Sequence, residues 1–186
     1  MTKFWTATEI LTLFRSDKTK TSLYRDEIND LIPKAKRVSR GKTETRMWET
    51  SDLPKIALRY GFLREPDVPK IISIYAPKGG VLKSTLAFNL ARMLALNNIK
   101  TLVIGLDVQG SVTNNLRQEM EVESLEDIKE LPGLYEIKKA TVSNNGIEAV
   151  IQSTDFPNLF YIPESSNLNH LEQHIREESR REHFLE

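Results

Sequence analysis

One stretch limits what this chain can fold into more than any other: Lys70 to Asn98, reading KIISIYAPKGGVLKSTLAFNLARMLALNN. Ile71, Ile72, Ile74 and Tyr75 make a short, nearly continuous apolar run, the pattern of a parallel strand buried on both faces. The run stops at Pro77. A turn follows, Lys78-Gly79-Gly80-Val81-Leu82, and Lys83-Ser84-Thr85 opens a segment whose Leu86, Leu90, Met93 and Leu94 recur at helical spacing. A strand that passes through a glycine turn into a helix start makes an anion site, because the first helical amides have no partner and the dipole end is positive. Phosphate is the natural guest.

The residue types then suggest roles. Lys83 is placed to set its ammonium on β- and γ-phosphates, Ser84 to offer a hydroxyl to Mg²⁺, and Gly79 and Gly80 to let amides come close to the phosphates. Lys78 is a second cation at the mouth of the loop.

The spacing K-G-G-x-x-K-[ST]-[ST] resembles the deviant Walker A motif of ParA-type partition ATPases and their MinD-like relatives. The resemblance implies a nucleotide loop of Lys78, Gly79, Gly80, Val81, Leu82, Lys83, Ser84 and Thr85, with ATP and Mg²⁺ as cofactors. It also implies that Lys78 acts catalytically in trans, reaching the partner's nucleotide across an ATP-bound dimer. One position departs from the family pattern: Leu82 stands where a glycine precedes the lysine. If that position needs positive φ, leucine costs about 1–2 kcal/mol.

A second apolar run, Lys100 to Leu106, predicts a strand that with the first would form a right-handed βαβ unit. It ends in Asp107-Val108-Gln109-Gly110-Ser111. This is similar to the family's D-x-D-P-Q-G-[NS], with Gly105 in place of the first Asp and Val108 in place of Pro. The resemblance makes Asp107 the carboxylate tied to the attacking water and the Mg²⁺ shell, alongside Ser84. A carboxylate at the C-terminal end of a strand faces the crevice where a parallel α/β sheet binds its ligand.

The 26 Lys and Arg balance the 26 Asp and Glu, but unevenly along the chain: up to Lys70 there are 15 against 10, and beyond it 11 against 16. The front half is therefore basic. Thr8 to Phe14 predicts a short helix capped by Thr6 or Thr8, and a second helix is expected from about Ser22 to Leu31, with Leu23, Ile28 and Leu31 or Ile32 inward and Pro33 ending it. A hairpin is predicted about Arg40-Gly41-Lys42, and a third helix starts at Thr50-Ser51-Asp52-Leu53-Pro54 and stops at Gly61.

The pattern Y-R-x-E-I-x-x-L-I-P-x-A-x-R, then R-M-W-x-x-x-D-L-P-x-I, is similar to winged helix-turn-helix modules of the MerR type. That resemblance makes Arg25, Lys36, Arg37, Arg40, Lys42 and Arg46 the candidate DNA contacts; the alternative is a helical, dimer-forming appendage whose basic run is a solvated face. Glu65-Pro66-Asp67-Val68-Pro69 reads as a linker.

Asn158 to Pro163 is a third strand candidate, and a last helix is expected through Leu168, Leu171 and Ile175. His170 and His174 share a face of it at i, i+4, without a third ligand to complete a metal site. No later apolar run ending in Asp follows. The expected architecture is thus α/β: a small, mostly α winged helix-turn-helix module over residues 1–65, a linker at 66–69, and over 70–186 the N-terminal part of a doubly wound, parallel-sheet P-loop domain. The absence of cysteine excludes disulfides and thiolate sites. With no apolar span of 18 residues and no signal-like start, the chain reads as cytoplasmic, bacterial, nucleoid- or plasmid-associated and free of membrane partners. The resemblance implies ATP-regulated DNA partition with weak hydrolysis, the partners being DNA, a second copy of the chain and a centromere-binding partition protein. The competing expectation is a DNA-binding regulator of transcription or copy number whose loop senses nucleotide without turning it over.

Overall fold

The computed structural model describes residues 3–40, 43–107, 110–117, 133–135, 146–164, 167, 168, 170 and 171. By the density of internal contacts the chain divides into two units, one of residues 1–74, 90–101 and 156–159, the other of residues 75–89, 102–155 and 160–186.

The first unit starts with a strand the sequence pattern did not announce, β1 (Phe4–Thr6). It ends where Thr6 becomes the cap of α1 (Ala7–Leu13): the Glu9 amide donates to Thr6 Oγ1, and the Thr6 amide donates back to Glu9 Oε2 at 2.7 Å. This reciprocal box satisfies two amides that a helix start leaves without partners. Thr19 caps α2 (Lys20–Ile28) by a one-way bond, accepting from the Ser22 amide at 3.2 Å.

Two expectations for α2 are corrected. It ends at Ile28, well before Pro33, because Asn29 closes the last turn and Asp30 takes a left-handed φ of 57°. Ile28, expected inward, is 65% exposed, whereas Ile32 beyond the turn is buried. The stop after 28 turns the chain so that Ile32 reaches the core in its place.

The hairpin forms as predicted, β2 (Lys36–Arg40) antiparallel to β3 (Thr43–Glu49), with Arg40 opposite Thr43 and Arg37 opposite Arg46. β1 adds to the other side of β3, Trp5 opposite Trp48, giving the order β1-β3-β2. A short 3₁₀ turn (Thr50–Asp52) then leads into α3 (Leu53–Tyr60), with Pro54 in its first turn. Ile10, Phe14, Leu23, Trp48, Leu53, Ile56 and Leu96 meet in one buried core. Full burial of a large apolar side chain is worth about 1.5–3 kcal/mol, and Trp48 keeps its polar edge satisfied by donating Nε1–H to the Pro33 carbonyl at 2.8 Å.

Below this core lies a charged clamp. The buried Asp26 carboxylate accepts from Arg59 Nε at 2.6 Å and from the Tyr60 hydroxyl at 2.7 Å, fastening α2 to α3. The Arg59 guanidinium holds the Asp26 carboxyl below the usual carboxylate range, against the opposing effect of burial. Burial and the Asp26 carboxylate push the Tyr60 phenol well up.

Gly61 ends α3 in extended backbone, not in the left-handed state usual for a glycine stop. Its need for no side chain is steric: a Cβ there would come within 2.6 Å of the Ala57 carbonyl and 2.7 Å of Asn97 Oδ1. Asn97 uses that approach to accept from the Leu63 amide at 3.3 Å, while its Nδ2 donates to the Met93 carbonyl at 2.9 Å.

The largest correction concerns residues 71–75. They form no strand; Ile71 is 99% and Tyr75 83% exposed. A fully apolar strand is stable only with hydrogen-bonded neighbours and covered faces, and among the described residues no strand lies beside it. The predicted βαβ unit is therefore absent from the described residues. Helix α4 (Lys83–Leu96) does form, but Leu86 is exposed, and the buried positions are Ala91, Ala95 and Leu96.

The remaining elements are β4 (Thr101–Ile104), α5 (Ser111–Arg117), a 3₁₀ turn (Gly146–Val150), β5 (Gln152–Ser153) and β6 (Leu159–Ile162). The sheet order is β4-β6-β5, with β5 antiparallel to β6. The sequence-predicted third strand is thus present, and Leu159, Tyr161 and Ile162 are buried. Leu168 and Leu171 pack with Tyr135. Ile175, His174 and the rest of the expected last helix lie outside the described residues. No helix among the described residues is long and apolar enough to cross a membrane.

Candidate functional site

The glycine turn has the geometry of an anion loop. Gly80 (φ 70°) and Leu82 (φ 60°) both take the left-handed region, two positions apart. The Leu82 carbonyl accepts from the Leu86 amide at 2.9 Å, which makes Leu82 the residue that opens α4. The amides of Lys83, Ser84 and Thr85 are therefore among those for which a helix has no internal acceptor. Nothing lies within 4 Å of the point where a Cβ would project from Gly79 or Gly80. Val81 and Leu82 are exposed, so the leucine side chain does not fill the loop.

Lys83 folds back, its Nζ donating to the Lys78 carbonyl at 3.0 Å. This bond closes the loop into a ring and keeps an ammonium at its mouth. Open helical amides, two lysines, the half-buried Ser84 and the exposed Thr85 form a donor set suited to a polyphosphate. The set fits the phosphates of a nucleotide.

β4 leads into the second motif. Gly105 is buried, Asp107 is exposed, and the Asp107 carbonyl accepts from the Gly110 amide at 2.9 Å, Gly110 being left-handed at φ 64°. Val108 and Gln109 lie outside the described residues. Glu164, a residue that sequence reasoning passed over, approaches this segment from the end of β6. Its carboxylate accepts from the amides of Asp107 at 3.3 Å and Thr113 at 3.1 Å. No sequence signal marks it, since the bond spans 57 residues.

The basic residues of the first unit divide into two kinds. Arg25 on α2 and Arg37 on β2 are exposed. Lys36 is paired with Glu49. Arg46 is mostly buried: its Nη1 stands 3.0 Å from Glu27 Oε2, and its guanidinium lies 4.4 Å over the Tyr24 ring. Arg37, Arg46, Tyr24, Thr43, Glu44 and Thr45 line one shallow depression between α2 and the hairpin. The Arg40 side chain and Lys42 lie outside the described part of the chain. Two arginines face each other across the strands there, a repulsive pairing that Glu27 offsets on the Arg46 side only.

Two individual proteins show likeness to part of this chain. Over 105 residues the chain is 30% identical to a Sinorhizobium fredii protein (strain NBRC 101917 / NGR234) named "Putative replication protein A", covering 55% of this chain and 24% of that protein. A crystal structure of a plasmid partition protein from Borrelia burgdorferi shares 38% identity with a TM-score of 0.46, covering 57% of this chain and 44% of that one. The chain thus spans about a quarter of its curated relative's length. Residues 69–186, well over half of the chain and including both motifs, match the AAA domain. The chain therefore belongs to the AAA domain family, the P-loop ATPases of ParA/MinD type with an α/β nucleotide-binding fold.

Proposed function

We propose that this chain is an ATP-dependent DNA partition protein of the ParA type, with a winged helix-turn-helix DNA reader over residues 1–65, a linker at 66–69 and a nucleotide-binding region from residue 70. The observation that carries the reading is the pair of left-handed residues, Gly80 and Leu82, running directly into the open amides of α4 with Lys83 across the loop. Strain at a non-glycine residue is retained where the surroundings impose it, and such positions gather at ligand clamps.

In this reading ATP supplies the transferable phosphoryl group and Mg²⁺ neutralises the charge that develops on it. Gly79, Gly80, Val81, Leu82, Lys83, Ser84 and Thr85 hold the phosphates, Ser84 and Asp107 serve the metal, and Asp107 orients water. Lys78 acts on the nucleotide of a second copy, so that binding drives dimerisation. Arg25, Arg37, Arg40 and Lys42 contact DNA phosphates, with Lys36 and Arg46 bracing the wing through Glu49 and Glu27. A centromere-binding partition protein is the third partner. The helix pair α1–α2, the β2–β3 hairpin beside it and the exposed arginines support the DNA role, as does the name of the replication-protein relative.

Titration of the chain with labelled ATP and GTP, with and without Mg²⁺, tests the reading. Micromolar binding that Lys83→Ala abolishes is the expected result, and absence of binding overturns it. A second reading, a DNA-binding regulator that senses nucleotide without hydrolysing it, is favoured by one feature: Gly105 brings no carboxylate where the family's motif has one. Phosphate release at saturating ATP and DNA, absent in that case, separates the two.

A further inference from the structure

Glu164 lies just beyond β6, yet its side chain works at the end of β4. Oε1 accepts from the Asp107 amide at 3.3 Å and Oε2 from the Thr113 amide at 3.1 Å, while the Glu164 amide donates to Thr113 Oγ1 at 2.7 Å. The carboxyl group occupies the space beside Gly105 so fully that a Cβ on residue 105 would stand 2.2 Å from both its Cδ and its Oε1. In an aspartate the carboxylate oxygens stand about 2.4 Å from the Cβ, from the bond lengths alone. Glu164 Oε1 therefore stands at about the distance from that Cβ at which an aspartate's own carboxylate oxygen stands.

We infer that Glu164 supplies, from the neighbouring strand, the carboxylate that position 105 lacks, and that it is the positioning residue for Asp107. The inference rests on the reading of Asp107 as the carboxylate that serves Mg²⁺ and water. Charge-assisted bonds from two amides are stronger than neutral ones, and together they tie Asp107 and Thr113 to the end of β6. Glycine at 105 is then a requirement of the device, because any side chain there evicts the carboxylate. The atoms a Cβ would strike belong to the flexible end of Glu164, so eviction leaves the strand itself in place.

Four variants test this: Glu164→Ala, Gly105→Ala, the two combined, and the transplant Gly105→Asp with Glu164→Ala. Amide hydrogen exchange is read at Asp107 and Thr113, and affinity for labelled ATP is read in Mg²⁺ and in EDTA. Each single variant is expected to speed exchange at both amides about tenfold or more. The Ala/Ala double should add nothing to either single, since both remove the same pair of bonds.

Affinity in Mg²⁺ should fall in all three while affinity in EDTA stays unchanged, a split that a purely structural loss would not produce. The transplant should restore the Mg²⁺ response that the Ala/Ala double lacks. Additive singles, unchanged exchange in Glu164→Ala, or a transplant no better than Ala/Ala would overturn the inference. A wild-type chain that binds no Mg-ATP would sink the nucleotide reading and this role with it. A wild type that binds Mg-ATP and is indifferent to Glu164→Ala sinks this role alone.

Discussion

Leu82→Gly separates two places in which the strain of the nucleotide loop could be spent. A leucine at φ 60° costs about 1–2 kcal/mol relative to its ordinary backbone states. Glycine removes that cost but adds about 0.5–1 kcal/mol through the freedom it gains in the unfolded chain. The leucine side chain is 71% exposed, so its loss sacrifices little packing. Leu82 takes the left-handed geometry as the residue that opens α4, so the strain falls on folding and not on binding. Net stability should rise by about 0.5–1 kcal/mol, a shift of about 1–4 °C in Tm for a chain of this size, while ATP affinity stays within about twofold.

Leu82→Ala removes the side chain without relieving the backbone, and should gain nothing. Leu82→Asn, which tolerates the left-handed region better than leucine, should fall between the two. Thermal unfolding followed by circular dichroism and a parallel ATP titration give both quantities on the same samples. An affinity gain of about fivefold or more, equivalent to about 1 kcal/mol, with no change in Tm would refute the reasoning. It would mean that the loop adopts this geometry only around the phosphates.

Three other outcomes are expected. Because Arg59 holds the Asp26 carboxyl below its ordinary value, the clamp contributes stability above about pH 4 and loses it as pH falls through the depressed folded value; in Asp26→Asn the acid unfolding curve, followed by tryptophan fluorescence, should lose that component, and an unchanged curve would remove Asp26 from the account. Lys78→Ala should leave monomer affinity for ATP nearly intact and impair ATP-dependent dimerisation measured by light scattering, whereas a large affinity loss would refute its action in trans. Neutralising Arg37, Arg40 and Lys42 together should weaken binding to a labelled duplex and flatten its salt dependence by about 0.9 in slope for each DNA phosphate that no longer meets a cation, and unchanged binding would return the hairpin to a passive face.

Much of the first unit was legible because its signals are local. Thr6 at the start of α1, Pro54 at the start of α3 and the two-residue gap between Arg40 and Thr43 each act within a few residues. β1 was not legible, since three residues carry no period, and it exists only because β3 offers Phe4 to Thr6 a ladder. The contrast between residues 71–75 and 101–104 makes the same point. Both runs are apolar and short, but among the described residues only the second has a neighbouring strand, β6, and only the second is a strand. Composition says which segments are able to pair; the partner decides whether they do.

The candidate site divides along the same line. The turn before Lys83 and the start of α4 could be read from spacing because a helix start and its preceding turn are contiguous in sequence. The basic residues could be counted but not sorted, for nothing in the sequence tells that Glu27 takes Arg46 and Glu49 takes Lys36 while Arg25 and Arg37 remain exposed. Gly105 is the sharpest instance. In one dimension it is a carboxylate missing from a motif and an argument against hydrolysis; in three it is the opening through which Glu164 reaches the Asp107 amide. A motif position constrains which group occupies a volume, and not from which strand that group arrives, so a glycine with an acid folded over it keeps the charge that a reading of the letters alone would deny.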